Sequence, residues 1–405
     1  MQTQLSPEII DTAAGREADR ILRSCVHCGF CTATCPTYQL LGDERDGPRG
    51  RIYLIKQVLE GHPATRHTQT HLDRCLTCRS CETTCPSGVD YIHLLDYGRH
   101  KVEQQVRRPW WQRGQRMLLR TFLPEPARFT PLLRLGQWLR PVLPGVIKKS
   151  IPVPVTTLPW PKQQHARRML LPSGCVQPSL APDIDTATAR VLDQLGIQLI
   201  QAGGCCGAVS HHLSATEQAK EYARRNIDAW WPHIEAGAEA IVSNASGCGV
   251  MLKDYAHLLS DDPIYADKAE RIAGLSRDIV EVLEAEDLTR LKPAATGKRI
   301  SFHAPCTLQH GQSLAGRVEI LLRRAGYELL PVRDAHLCCG SAGTYSITQA
   351  QLSRQLRDNK LAALNQASPD LIATANIGCL LHLAAASEVS VKHWITLFDA
   401  GVVNE

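Results

Sequence analysis

Two near copies of one short pattern open the chain's chemistry. CVHCGFCTATCP spans residues 25–36 and CLTCRSCETTCP spans residues 75–86, each spaced C-x2-C-x2-C-x3-C-P. A cube of four irons bridged by sulfide needs four protein thiolates. Three at two-residue gaps wrap one face from a single loop, and the fourth must come from elsewhere. In two-cluster ferredoxins the cysteine before the proline crosses to the other cluster. The spacing therefore predicts two [4Fe-4S] clusters, one held by Cys25, Cys28, Cys31 and Cys85, the other by Cys75, Cys78, Cys81 and Cys35. Pro36 and Pro86 turn the chain after each crossing ligand. Structural zinc also uses C-x2-C pairs, but it takes two pairs, and each run here supplies four cysteines asymmetrically. Arg49, Arg51, Arg74 and Arg79 flank the runs and read either as counter-charge to the thiolates or, for any one of them, as plain surface.

The other eight of the 16 cysteines fall in a second pattern, also duplicated. Each copy has a cysteine, then Cys-Cys-Gly, then a single cysteine: Cys175, Cys205, Cys206, Cys248 and Cys306, Cys338, Cys339, Cys379. Adjacent cysteines before a glycine project two sulfurs from a tight turn, with Gly207 or Gly340 supplying the backbone freedom. Three chemistries compete here: a further iron–sulfur centre, zinc, or redox-active thiols. His303 in HAPC and His336 in HLCCG are candidate ligands or proton carriers. The first copy has no histidine at either place, whereas His211, His212, His310 and His382 read as ordinary polar residues. There is no G-x-G-x-x-G after a strand, no P-loop and no H-E-x-x-H. The chain thus lacks an organic cofactor site and an expected catalytic residue, and must receive electrons from a partner.

The elements that position these sulfurs differ between the two halves. Residues 1–106 show helical periodicity in IYLIKQVLEG (52–61) and VDYIHLLDYGRHKVEQQV (89–106) and few strand signals. Residues 169–290 and 291–405 each alternate short apolar strands with helices, which argues for parallel α/β units with sites beyond the strands' carboxyl ends. The strands RMLLPSGC, IQLIQA and EAIVSNASGC match KRISFHAPC, YELLPV and DLIATANIGC. The helix at 214–237 carries Ser214 as expected N-cap and Glu217 as its capping-box partner. The predicted fold is α+β: a mostly α-helical two-cluster ferredoxin-type domain, then a pseudo-twofold α/β pair of cysteine-rich (CCG) domains. Residues 107–168 read as a basic connector, with 13 Lys/Arg against Glu125 alone, ten of the 24 prolines and four of the seven tryptophans.

The formal charge of +5 is too small to imply nucleic acid. No apolar run is long enough to span a membrane, and the N-terminal stretch lacks the basic and apolar regions of a secretory signal. Cysteines in a reducing cytoplasm read as metal or redox ligands rather than disulfides.

Two ferredoxin runs followed by two Cys-Cys-Gly repeats resemble the family that includes heterodisulfide reductase B/C-type subunits, the C subunit of anaerobic glycerol-3-phosphate dehydrogenase and lactate-utilisation iron–sulfur proteins. RSCVHCGFCTATCPTYQLLGDERDGPRGRIYLIKQVLEG, HLDRCLTCRSCETTCPSGVDY, GGCCGAV, NIDAWWPHIEAGAEAI, HLCCGSAGTY and TANIGC are most similar to iron–sulfur subunits of glycolate oxidase (glycolate dehydrogenase). The resemblance implies a complex in which FAD-containing subunits oxidise glycolate to glyoxylate and this chain carries electrons towards a membrane quinone. A related lactate or glycerol-3-phosphate dehydrogenase, or a thiol–disulfide reductase, is the alternative. The heterodisulfide reductase pattern ends in C-x-x-C, where Cys248 and Cys379 here stand single. In PLLRLGQWLRPVL, Leu132, Leu135 and Trp138 share a helical face flanked by Arg134 and Arg140, broken by Pro131 and Pro141. Such a basic stretch suits either peripheral contact on the cytoplasmic face of the inner membrane or an acidic protein surface.

Overall fold

Between residues 1 and 106 every regular element is helical. Helix α1 (Ala13–Ser24) starts where the Thr12 hydroxyl accepts a hydrogen bond from Gly15 N at 2.9 Å, and it buries Ala18, Ile21 and Leu22 on one face. Helix α2 (Pro48–Leu59) carries proline in its first turn, where a missing N–H costs nothing, and buries Ile52, Ile55 and Leu59. Helix α3 (Arg66–Asp73) leads into the second cysteine run. Helix α4 (Tyr91–Gln105) packs on α2 so tightly that a Cβ on Gly98 would lie 2.6 Å from Ile55 Cγ1. These faces close one apolar core that includes Cys25, Cys75 and Cys81. The structure, a computed structural model, describes residues 1–142, 144, 151–291 and 297–399. The connector at 143 and 145–150, the segment 292–296 and the end of the second repeat from 400 lie outside the described residues.

The connector is helical where it was expected to be broken. Helices α5 (Trp110–Phe122) and α6 (Pro126–Leu139) run through it, and Pro131 sits inside α6. Pro131 and Ala127 are both exposed, so the carbonyl that the proline ring leaves unpaired is on the solvent side of the helix. The basic residues divide. Arg108 and Arg116 turn inward onto Asp73, at 2.6 and 3.2 Å. Trp110, Met117, Leu118, Leu132, Leu135 and Trp138 face solvent, with Trp110 83% and Trp138 76% exposed.

The C-terminal half contains two sheets with the same parallel topology. The first has order β2-β1-β3-β4, from β1 (Arg167–Pro172), β2 (Ile197–Ala202), β3 (Ile241–Ser243) and β4 (Ser276–Asp278). The second has order β6-β5-β7-β8, from β5 (Arg299–His303), β6 (Glu328–Leu329), β7 (Leu371–Thr374) and β8 (Val391–His393). Along β1, Met169 and Leu171 join one core and Leu170 another, as expected for a parallel strand covered on both faces. The first of these cores is shared by both repeats, from Ile184 and Val242 to Phe302 and Trp394.

Some local expectations shift. Ala215 N donates to Ser210 O at 2.9 Å, closing a turn that puts Ser214 at φ 60°. The long helix of the first repeat therefore begins at Thr216, not at a Ser214 cap. YELLPV contributes only Glu328–Leu329 as strand, and β4 and β8, three residues each, carry no readable apolar run.

Asp278 ends β4, is 1% exposed and N-caps the helix Ile279–Glu284, accepting from Val280 N at 3.2 Å and Gln312 Nε2 at 3.1 Å. Burial pushes its carboxyl up to about 7. An unfolded aspartate ionises near 3.9. The stability it contributes is thus complete below that value and is lost as pH rises from about 4 through about 7. Asp278→Asn, which keeps the cap, is expected to flatten this dependence. In thermal scans it should unfold above wild type at pH 8, with the gap narrowing at pH 5; equal gaps at both would contradict the assignment.

Candidate functional site

The first run folds as a loop around a hollow lined by Cys25, Cys28, Cys31 and Cys85, with Ile52 and Val89 at its wall. The second surrounds a hollow lined by Cys35, Cys75, Cys78 and Cys81. Each run's last cysteine lies in the other run's hollow; Cys81 also touches the first. Cys35 and Cys85 share one extended backbone conformation, with ψ 114° in both.

The duplication reaches the backbone torsions. His27 and Gly29 have φ of 57° and 85°; their counterparts Thr77 and Arg79 have 53° and 58°. Left-handed geometry at a non-glycine residue costs on the order of 1 kcal/mol. Three such residues in two short loops indicate that the loop path is imposed by what the thiols must surround. Burial raises Cys78 and Cys81 well above an ordinary thiol and pushes Cys31 up to about 11. Such thiols would shed their protons on joining a positive centre, the chemistry that iron–sulfur ligation would supply.

Arg51 is not a surface residue. It is 1% exposed, and its guanidinium donates from Nε to His71 O at 2.8 Å and from a terminal nitrogen to Thr37 Oγ1 at 3.1 Å. Asp46, fully buried, lies 3.6 Å from that guanidinium and also holds His71 Nδ1 at 2.9 Å and Arg74 at 2.8 Å. Burial disfavours the Arg51 charge, yet Cys75, Tyr91, Cys35 and Asp46 together raise its pKa. Thr37 Oγ1 is 3.3 Å from Cys35 Sγ, so one buried network joins the arginine to the crossing cysteine. Arg49 is partly exposed and pairs with Glu44; Arg79 pairs with Asp254 of the first repeat.

In the repeats the eight remaining sulfurs cluster beyond the carboxyl ends of the strands. Cys175, Cys205 and Cys206 follow β1 and β2, and Cys306, Cys338 and Cys339 follow β5 and β6. Cys248 and Cys379 lie in the first turns of the helices Ser246–Lys253 and Ile377–Ala384, one turn past the strand ends expected for them. Gly207 and Gly340 adopt φ of 89° and 86°, the freedom the tight turns require. In the first set Cys206 Sγ is 3.4 Å from Cys248 Sγ, and Cys206 is held low by its thiol neighbours Cys205 and Cys248. In the second, Cys306 and Cys338 are 3.8 Å apart. Ser246 and Thr307, 2.7 Å apart, connect the two sets across the pseudo-twofold.

The second set differs from the first in two ways. His303, 1% exposed, has no partner on either ring nitrogen, and its ring lies with the Cys339 and Cys379 sulfurs within 4.8 Å. Burial keeps it neutral, the ligating form. His336 stays outside that group among the described residues. Lys360, 3% exposed, donates to Asp334 O at 2.7 Å; burial lowers its pKa while Cys338 and Cys339 oppose the shift. Sequence reasoning missed Lys360. Its readable signal is a lysine on the stripe of Leu356, Leu361 and Leu364 that the helix Ala350–Asn365 buries.

The halves meet where Cys78 packs with Leu76, Cys306, Cys338 and Tyr345 in one apolar cluster. Thr83 Oγ1 to His310 Nδ1 at 2.8 Å and Tyr345 OH to Arg74 O at 3.2 Å pin that junction. At the other end Cys28 is exposed, beside Val26 at 66% and Phe30 at 62%.

Residues 21–89 match the 4Fe-4S dicluster domain family, and residues 170–253 and 300–384 each match the cysteine-rich domain family. The chain is 57% identical over 409 residues, covering 100% of both proteins, to the glycolate oxidase iron-sulfur subunit of Escherichia coli strain K12. It is 32% identical to the probable glycolate oxidase iron-sulfur subunit of Bacillus subtilis strain 168, covering 91% of this chain and 89% of that one. Lactate utilization protein A of Bacillus licheniformis is 31% identical over 52% of this chain and 87% of its own. A crystal structure of a hypothetical protein from Helicobacter pylori shares the fold with a TM-score of 0.54 at 10% identity, over 98% of this chain and 74% of that one.

Arg51→Met removes the cation between Cys35, Cys75 and Asp46. Breaking a buried pair in this way is expected to cost about 3 kcal/mol in anaerobic denaturant unfolding. The double variant Asp46→Asn/Arg51→Met should recover part of that loss. A wild-type midpoint for Arg51→Met would contradict the role of the network.

Proposed function

The chain belongs to the family of glycolate oxidase iron–sulfur subunits, and from that membership we propose that it is the electron-transfer subunit of a multi-subunit glycolate dehydrogenase. FAD-containing subunits oxidise glycolate to glyoxylate and deliver electrons here, and a membrane quinone is the acceptor. The observation that carries this reading is the exchange of last cysteines between the two hollows. Cys25, Cys28, Cys31 and Cys85 hold one [4Fe-4S] cluster and Cys75, Cys78, Cys81 and Cys35 the other, within a domain of residues 1–106. Bound clusters supply one-electron carriers of tunable potential.

The chain's own residues set the route and its surroundings. Cys28, Val26 and Phe30 form an open apolar rim, the docking face for the flavoprotein. Cys78 packs against Cys306 and Cys338, so the second ligand set abuts the second repeat. Cys306, Cys338, Cys339 and Cys379, with His303, hold a further iron–sulfur centre or zinc in the repeat spanning 291–405. Cys175, Cys205, Cys206 and Cys248 form the corresponding site of 169–290. Arg51 and Lys360 offset the negative sulfur.

The connector, 107–168, is the membrane-facing part. No helix among the described residues is long and apolar enough to cross a membrane. The outward residues of α5 and α6 instead combine apolar Trp110, Met117, Leu118, Leu132, Leu135 and Trp138 with exposed Arg113, Arg128 and Arg134, and exposed Arg107 precedes α5. That mixture suits the anionic cytoplasmic surface of an inner membrane, with about 1 kcal/mol per basic residue near it.

Electron paramagnetic resonance on the reduced protein tests the ligand exchange. Cys28→Ser and Cys85→Ser should remove the same signal and about four irons each, and Cys78→Ser and Cys35→Ser the other signal. Cys85→Ser behaving like Cys78→Ser would overturn the crossing. In the assembled complex Cys78→Ser should stop quinone reduction while glycolate still reduces the flavin; lactate and glycerol-3-phosphate, run in parallel, decide the substrate. For the connector, Leu135→Glu/Trp138→Glu is expected to weaken sedimentation with anionic vesicles at least about tenfold, wild-type binding itself falling with salt. Equal sedimentation of both proteins would remove the membrane contact.

A further inference from the structure

Among the described residues, two groups without sulfur bring metal-binding atoms together; one of them, Asp43, Asp46 and His71, has its central carboxylate already paired with Arg51 and Arg74. In the other, Glu17 of α1, His93 of α4 and His257 of the short helix Tyr255–Leu258 have ligand atoms within 4.8 Å of one another. They come from three separate stretches, and His257 lies between β3 and β4 of the first sheet, which puts it in the first repeat. The imidazoles face each other, ring centroids 3.7 Å apart and planes 28° from parallel. Glu17 Oε1 lies 4.0 Å from His257 Nδ1.

The surrounding bonds leave the right atoms free. Asp90 Oδ2 takes His93 Nδ1 at 2.7 Å, which fixes the ring and places its proton on that nitrogen. In the neutral ring His93 Nε2 is then a bare acceptor, buried and without a hydrogen-bond partner; despite that burial Asp90 also raises the ring's pKa, so a bound cation would displace a proton there. A carboxylate behind one ligating imidazole is the usual support of a histidine-bound metal. Two imidazoles and a carboxylate, with the side facing solvent open, form a donor set for zinc-class cations. They lack the thiols that iron–sulfur clusters require.

We propose that Glu17, His93 and His257 bind one divalent cation of the zinc class, which fastens the N-terminal helix and the ferredoxin-type helix α4 to the first cysteine-rich repeat. The site stands apart from the sulfur sites in ligand chemistry. Its mechanical link to them is direct: α1 ends at Ser24, one residue before Cys25, and His93 follows closely on Tyr91 and Ile92 at the wall of the second hollow.

The test is zinc binding by the iron–sulfur-loaded chain under anaerobic equilibrium dialysis, with zinc and iron read by elemental analysis. Wild type should retain one zinc equivalent more than His257→Ala and more than Glu17→Gln, at unchanged iron. Asp90→Asn should keep the site but weaken it at least about tenfold. X-ray absorption of that extra zinc should show nitrogen and oxygen neighbours only. Equal zinc in wild type and His257→Ala, or sulfur in the first shell of the extra ion, overturns the proposal.

Discussion

Thiolates gathered inside a protein are a charge problem before they are a ligand problem. Each buried sulfur that ionises loses its hydration, and that cost is tolerable only with opposite charge close by. Arg51 answers it in the N-terminal unit. It is almost wholly buried, is raised by Cys75 and Cys35, and is anchored by Asp46, Thr37 and the His71 carbonyl. Because Asp46 also holds His71 and Arg74, the same carboxylate ties α3 and the start of the second run to the segment after the first. The two cysteine loops are thereby held at a fixed spacing.

The C-terminal half solves the same problem twice and differently. Both repeats use one topology and put sulfurs past the strand ends. The second adds His303 and the buried cation of Lys360. At matching offsets the first has Pro172 and Ile227, both without charge. Duplication preserved the scaffold while the chemistry of the two sites separated, and the charged copy is the one packed against Cys78.

The readable parts of this molecule are those whose spacing is dictated by a bond. Cluster ligation fixes C-x2-C-x2-C, and a parallel strand covered on both faces makes an apolar run, so the cysteine runs and IQLIQA stand out in the letters. Strands β4 and β8 do not: SRD and VKH are three residues held by neighbours and by Asp278 capping the next helix. Ser214 looks like a cap, but a turn closed from Ser210 takes it out of position. Pro131 looks like a break, yet α6 continues through it on an exposed side. The role of Arg51 among four similar arginines is tertiary, since only the folded chain reveals which one is enclosed. The meeting of Glu17, His93 and His257 is tertiary in the same sense.

The open rim at Cys28 has a cost for the chain on its own. Of the sixteen sulfurs it is the one classed as exposed, whereas Cys306, Cys338 and Cys339 are sealed under packed side chains. Dioxygen, peroxide or a chelator meets that corner first. In the proposed assembly, a companion polypeptide over Val26 and Phe30 would shield this corner as well as wire it, and an orphaned copy would decay from this end inward.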